Sequence, residues 1–165
     1  MNTSPNILKF FADFICKELG IVYQEANYYQ LETRLAEVIR QTGHSTIEDL
    51  WKQCQSVVPA AVRLLLLDVA TNNETSFFRD PAVFDAVENH VLKEYSGSKP
   101  AGPLRIWSAA CSYGQEPYSL AMALESHRSE LPYGFQITAT DIADRALVAA
   151  ERGQFSQLQV QRGLP

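Results

Sequence analysis

The most restrictive feature of this sequence is a change of rhythm after residue 103. Upstream, apolar residues recur at helical spacing; downstream they come in two short runs, LRIWSAA and FQITAT, each followed by a helix-forming stretch. Leu104–Ala110 reads as a short buried strand, Pro117–Ser126 as a helix, and Phe135–Thr140 as a second strand. Ala143–Glu151 reads as a further helix, stopped by Gly153. Strand, helix, strand, helix is the order of an α/β sheet with parallel strands. SGSKPAGP (Ser96–Pro103) is the loop that introduces it.

In an open parallel sheet, ligands sit beyond the carboxyl ends of the strands. The turn Ala109–Gln115 lies at such an end, and its small residues let a ligand approach the backbone. Pro117, read as the first helical position, presents the free N–H groups around it. Asp141 ends the second strand, where a carboxylate suits the two hydroxyls of a ribose. The turn is not a G-x-G-x-x-G fingerprint: it has one glycine, and Glu116 stands where a pyrophosphate needs positive potential. S-adenosylmethionine matches this mix better, with a sulfonium, an α-amino group, a ribose and no phosphate.

Each residue also has a purely structural reading. Gly114 serves as a turn glycine, Glu116 as a first-turn acid favoured by the helix dipole, and Asp141 as a helix cap in competition with Asp144. Cys111 has no histidine near it in sequence, since His127 lies at the far end of the following helix, so it reads as a small packing residue.

The first seventy residues read as four short helices in a small bundle. Ser4 caps the first, Pro5 opens it, Ile7 to Leu19 repeat at helical spacing, and Gly20 ends it. The second carries Leu31, Leu35, Val38 and Ile39 on one face. Ser45 and Glu48 form a capping-box pattern before a third, and Pro59 opens a fourth. Thr71–Asp80 is polar, and Pro81 opens another helix. The expected divisions are therefore a helical domain over 1–70, a loop, helix and linker over 71–103, and an α/β domain over 104–165.

Composition excludes several classes. A net charge of −5 with no Lys/Arg block argues against a nucleic-acid surface. Three cysteines without C-x-x-C spacing fit neither a disulfide framework nor a zinc site, so no metal is expected. The leucine run Leu64–Leu67 is too short for a bilayer, and no signal sequence opens the chain. The expectation is a cytoplasmic protein without membrane insertion.

Three segments resemble the CheR family of chemotaxis receptor methyltransferases, which methylate glutamate side chains with S-adenosylmethionine. TNNETSFFR (Thr71–Arg79) resembles the family's N-x-T-x-F-F-R signature; IWSAACSYGQEPYSLA (Ile106–Ala121) resembles its glycine loop; TATDIAD (Thr138–Asp144) with ERGQFS resembles its second strand and next helix. The resemblance implies a helical recognition domain followed by the first half of a Rossmann-like methyltransferase sheet. It places Asn73, Thr75, Arg79, Glu116 and Asp141 at the cofactor, with Glu116 near the methionyl amino group, Asp141 at the ribose, and Arg79 gripping a carboxylate in the catalytic centre. The structural reading of Arg79 is a surface pair with Asp80 or Asp85, and that of Phe77 and Phe78 is core packing. S-adenosylhomocysteine would be the product, and the cytoplasmic helices of methyl-accepting chemoreceptors the partner.

Family members continue well past Pro165, and the two strands here belong in the middle of the family's sheet. The resemblance therefore implies a chain that is incomplete and inactive by itself, with self-association through exposed sheet edges. The alternative is a non-catalytic docking or dimerisation module derived from such an enzyme. The family's second helix is often basic, yet here Arg34, Arg40 and Lys52 are outnumbered by Glu25, Glu32, Glu37, Glu48 and Asp49.

Overall fold

The computed structural model describes residues 3–164; residues 1, 2 and 165, at the outer limits of the expected domains, lie outside that description. The chain divides into two units, Met1–Asn72 and Asn73–Pro165. The polar segment before Pro81 thus belongs with the α/β unit from Asn73 onward.

The first unit is the expected bundle: α1 (Pro5–Leu19), α2 (Tyr28–Thr42), α3 (Ile47–Cys54) and α4 (Ala60–Ala70). Their apolar stripes meet in one core, in which Phe11, Ile15, Leu31, Leu35, Val38, Leu50 and Leu66 are fully enclosed. Gly20 and Gly43 close α1 and α2 in the left-handed conformation. The cap of α3 falls one residue later than the capping-box pattern predicts. Thr46 is the N-cap, with extended backbone, and its side chain accepts from the Asp49 N–H at 3.1 Å. Threonine with an acid three residues on satisfies the same requirement as Ser45 with Glu48, so spacing alone leaves both frames open.

Arg34 on α2 has an internal role. Its Nη1 donates to the carbonyls of Val69 and, at 3.0 Å, Thr71, where α4 has run out of intrahelical donors. Arg40 pairs with Glu37 one turn away. Arg34 is thus engaged within the bundle, while Arg40 is exposed and pairs along its own helix.

The second unit opens with α5 (Pro81–Ala86), a π-helical stretch (Val87–Val91) and α6 (Leu92–Gly97), then β1 (Leu104–Ala109), α7 (Gln115–Ser126), β2 (Phe135–Thr140), α8 (Asp144–Arg152) and α9 (Gln157–Gln161). β1 and β2 pair in parallel, with Leu104 opposite Phe135 and Ile106 opposite Ile137. Leu104, Ile106, Phe135 and Ile137 pack on Leu92, Leu124 and Leu131, and Phe84, Leu120 and Ala123 extend this layer. The other face of the sheet is bare: Trp107 is 71% exposed, and its indole N–H donates to Thr140 Oγ1 at 3.0 Å. Among the described residues no helix is long and apolar enough to cross a membrane.

Boundaries differ from the sequence reading at three elements, and α8 runs one residue later than expected at both ends, with Ala143 as its N-cap. β1 stops at Ala109 because Ala110 turns to φ 58°. α7 begins at Gln115, with Gly114 as its N-cap, which moves Pro117 from the first to the third helical position. Proline costs nothing there, since the first helical N–H groups have no intrahelical acceptor.

The cap of α3 yields a direct comparison. Thr46→Ala is expected to cost about 1 kcal/mol, and Ser45→Ala less than about 0.5 kcal/mol, in urea unfolding followed by circular dichroism. Equal losses would return the cap to the frame of Ser45.

Candidate functional site

The site grows out of the turn that joins β1 to α7. Three residues in five, Ala110 (φ 58°), Ser112 (φ 51°) and Gly114 (φ 94°), are left-handed. Left-handed backbone at Ala and Ser costs on the order of 1 kcal/mol or more each, so the surroundings must impose it. They do so through the end of β2. The Cys111 N–H donates to the Thr140 carbonyl at 2.9 Å, and the Ser112 N–H donates to Asp141 Oδ2 at 2.7 Å. Asp141 Oδ1 accepts from the Ala143 N–H at 2.9 Å. One carboxylate therefore ties the turn after β1 to the first residues of α8.

Gly114 is fixed by both conformation and space. A Cβ on it would stand 3.0 Å from the Ala150 Cβ and 3.3 Å from Tyr118 Cδ2. The glycine thus lets the mouth of α7 lie directly against α8.

Glu116 follows in the first turn of α7, and Ser108, 2% exposed on β1, donates to its Oε1 at 2.7 Å. Beside it, Gln115 is buried, and its Oε1 has no hydrogen-bond partner among the described residues. Burial, and after it the Asp141 carboxylate, push the Cys111 thiol up. That removes thiolate character, so the thiol packs, as its sequence context predicts.

The Asn73–Arg79 segment reaches this turn. Ser112 Oγ donates to the Asn73 carbonyl at 2.9 Å, so Asn73, Ser112 and Asp141 form one connected chain. Thr75 is half-buried. Phe77 packs edge-on against Phe155, and Phe78 against Phe84, which gives both rings their packing role. Arg79 is exposed, and its Nη1 donates to the Glu74 carbonyl at 2.7 Å rather than to Asp80 or Asp85. Of the five site residues expected from sequence, Asn73, Glu116 and Asp141 are held by the turn or by the strands beside it. Arg79 makes no hydrogen bond or ion pair with either acid among the described residues.

Sequence reasoning missed the three buried serines, Ser108, Ser112 and Ser119, that hold these parts together. Each lies within the resembling glycine-loop segment; Ser108 bonds to Glu116 inside that segment, while Ser112 and Ser119 reach Asn73 and Phe78 about forty residues upstream.

Comparison with known proteins identifies the family. Residues 73–165 match the family described as CheR methyltransferase, SAM binding domain, and residues 6–69 match CheR methyltransferase, all-alpha domain. The chain belongs to the CheR methyltransferase family. Its fold is that family's all-alpha domain followed by a SAM-binding unit with a two-stranded parallel sheet, and its cofactor is S-adenosylmethionine. The chain is 35% identical over 168 residues to the chemotaxis protein methyltransferase Cher2 of Pseudomonas putida, covering 99% of this chain and 61% of that protein. It is 37% identical to chemotaxis protein methyltransferase 1 of Pseudomonas aeruginosa, over 99% of this chain and 61% of the relative. It is 34% identical to chemotaxis protein methyltransferase 1 of Vibrio cholerae, over 93% of this chain and 56% of the relative. The chain thus spans about three-fifths of the length of the relatives it matches.

The residues present fit this cofactor. The turn offers acceptors without a cation of its own: the carboxylates of Glu116 and Asp141, and the orphaned Gln115 oxygen. Such a set suits an ammonium, a sulfonium and ribose hydroxyls, and it repels phosphate.

The turn generates its own test. Gly114→Ala places a Cβ against Ala150 at a left-handed position and is expected to cost about 2 kcal/mol in thermal or urea unfolding. A neutral substitution would show that α7 and α8 do not approach as closely as described.

Proposed function

We propose that Glu116 and Asp141 hold S-adenosylmethionine at this turn, with Asn73, Thr75 and Arg79 completing the site, in a protein that methylates glutamate side chains of chemoreceptors. What carries the reading is the pair of acids at the turn, both oriented before any ligand arrives. Ser108 fixes one oxygen of Glu116 and leaves Oε2 for an ammonium. Asp141 spends one lone pair per oxygen on Ser112 and Ala143, and each oxygen keeps another for a ribose hydroxyl.

The chemistry asks little more of the chain. A substrate glutamate, with a reference pKa of about 4.3, is already ionised near neutral pH and needs no general base. When bound, the cofactor's sulfonium supplies the methyl group and leaves as a neutral thioether. The residues here contribute alignment and electrostatics, with Arg79 gripping the carboxylate of the substrate or of the cofactor by its guanidinium fork. The relatives' names place them in chemotaxis, and the helical unit is the proposed docking element for cytoplasmic chemoreceptor helices. Because Arg34 caps α4, it is not available to a basic docking face on α2.

A second reading has one observation in its favour. The bare sheet face with Trp107 and the mostly exposed residues of β2 suits a self-associating or docking module without catalysis.

Calorimetric titration with S-adenosylhomocysteine separates the two. Wild-type binding that falls by roughly tenfold or more in each of Glu116→Ala and Asp141→Ala is the expected result. No wild-type binding, with the helices intact by circular dichroism, would leave the module reading.

A further inference from the structure

We infer that Ser119, fully buried on α7, is the positioning residue that sets the backbone at Phe78 and through it the placement of Arg79. The inference rests on the proposed cofactor role of Arg79 and adds to it the residue that fixes that side chain's starting point.

Phe78 has φ 47°, a left-handed conformation that an aromatic residue does not adopt unless its surroundings impose it. Two contacts supply the constraint. The ring packs on Phe84 with centroids 4.9 Å apart, and the amide N–H donates to Ser119 Oγ at 3.0 Å. The same hydroxyl donates its proton to the Gln115 carbonyl at 2.6 Å. Its proton is therefore committed to α7, which orients a lone pair toward Phe78. Ser119 is 0% exposed, so water cannot take over either bond.

The geometry of the chain gives this bond its consequence. The reversal at Phe78 sends consecutive rings to different partners, Phe77 to Phe155 and Phe78 to Phe84. Arg79 leaves that reversal at once, and its Nη1 bond to the Glu74 carbonyl closes the segment on itself. Gln115, which receives the Ser119 proton, immediately precedes Glu116. One hydroxyl thus sets the spacing between the helix mouth that carries Glu116 and the loop that carries Arg79.

The test compares wild type, Ser119→Ala, Ser119→Thr, Arg79→Ala and the double variant Arg79→Ala/Ser119→Ala by two readouts. Without cofactor, hydrogen exchange at the Phe78 and Arg79 amides should quicken by about tenfold in Ser119→Ala while the interior of α7 keeps its protection. Affinity for S-adenosylhomocysteine should fall by about tenfold in Ser119→Ala, and adding that change to Arg79→Ala should cause no further loss. Ser119→Thr keeps the hydroxyl and should restore both readouts. Unchanged exchange at Phe78 in Ser119→Ala overturns the proposal. So does an equal loss of affinity from Ser119→Ala in the wild-type and Arg79→Ala backgrounds, which would mark a general effect on stability. If Arg79→Ala binds like wild type, the cofactor role of Arg79 falls, and the exchange result still decides whether Ser119 sets Phe78.

Discussion

The carboxylate of Asp141 joins what the chain would otherwise leave apart. It stands at the end of β2 and accepts from Ser112, in the turn after β1, and from Ala143, at the start of α8. Parallel strands have no tight hairpin to align their ends, so the ligand face of such a sheet must be assembled by contacts across it. Here a charged acceptor at 2.7 Å performs that alignment, and the left-handed backbone at Ala110 and Ser112 is its conformational cost. Ser112 extends the connection to Asn73, so the polar segment far upstream is registered on the same point.

The electrostatics of the turn follow from what it omits as well as what it contains. Phosphate-binding turns supply N–H groups and positive charge at a helix mouth. In this turn the N–H of Cys111 is used by the Thr140 carbonyl, that of Ser112 by Asp141, and that of Gly114 by the Cys111 carbonyl, while Glu116 adds negative charge at the mouth. The two carboxylates, Glu116 and Asp141, give the turn its remaining acceptors and its negative charge. A sulfonium cofactor matches these acids through its ammonium and its ribose diol.

Much of this was legible in the sequence, and the reasons for the exceptions are physical. The four-helix unit and the parallel βαβα order follow from apolar spacing, because one face of each element must be buried. The two acids stood out because a carboxylate at a strand end or a helix mouth carries chemical meaning by position alone. Boundaries were harder where two residues satisfy one requirement, as Ser45 and Thr46 do for the cap of α3, or where proline is equally tolerated at neighbouring positions, as Pro117 is in α7. The serines were illegible for a different reason. A hydroxyl's partner is chosen by tertiary proximity, and Phe78 with Ser119, or Asn73 with Ser112, are far apart in the chain. Arg34 likewise reads as surface charge in sequence, and only the fold turns it toward the carbonyls at the end of α4.

The most direct test of the central claim is nitrogen–proton correlation spectroscopy of the chain during titration with S-adenosylhomocysteine. The account predicts that the largest shifts fall at the Ser112 and Glu116 amides and around Asp141, while the bundle from α1 to α4 stays unmoved. Shifts confined to the helical unit, or no shift at Ser112 at saturating ligand, would contradict it.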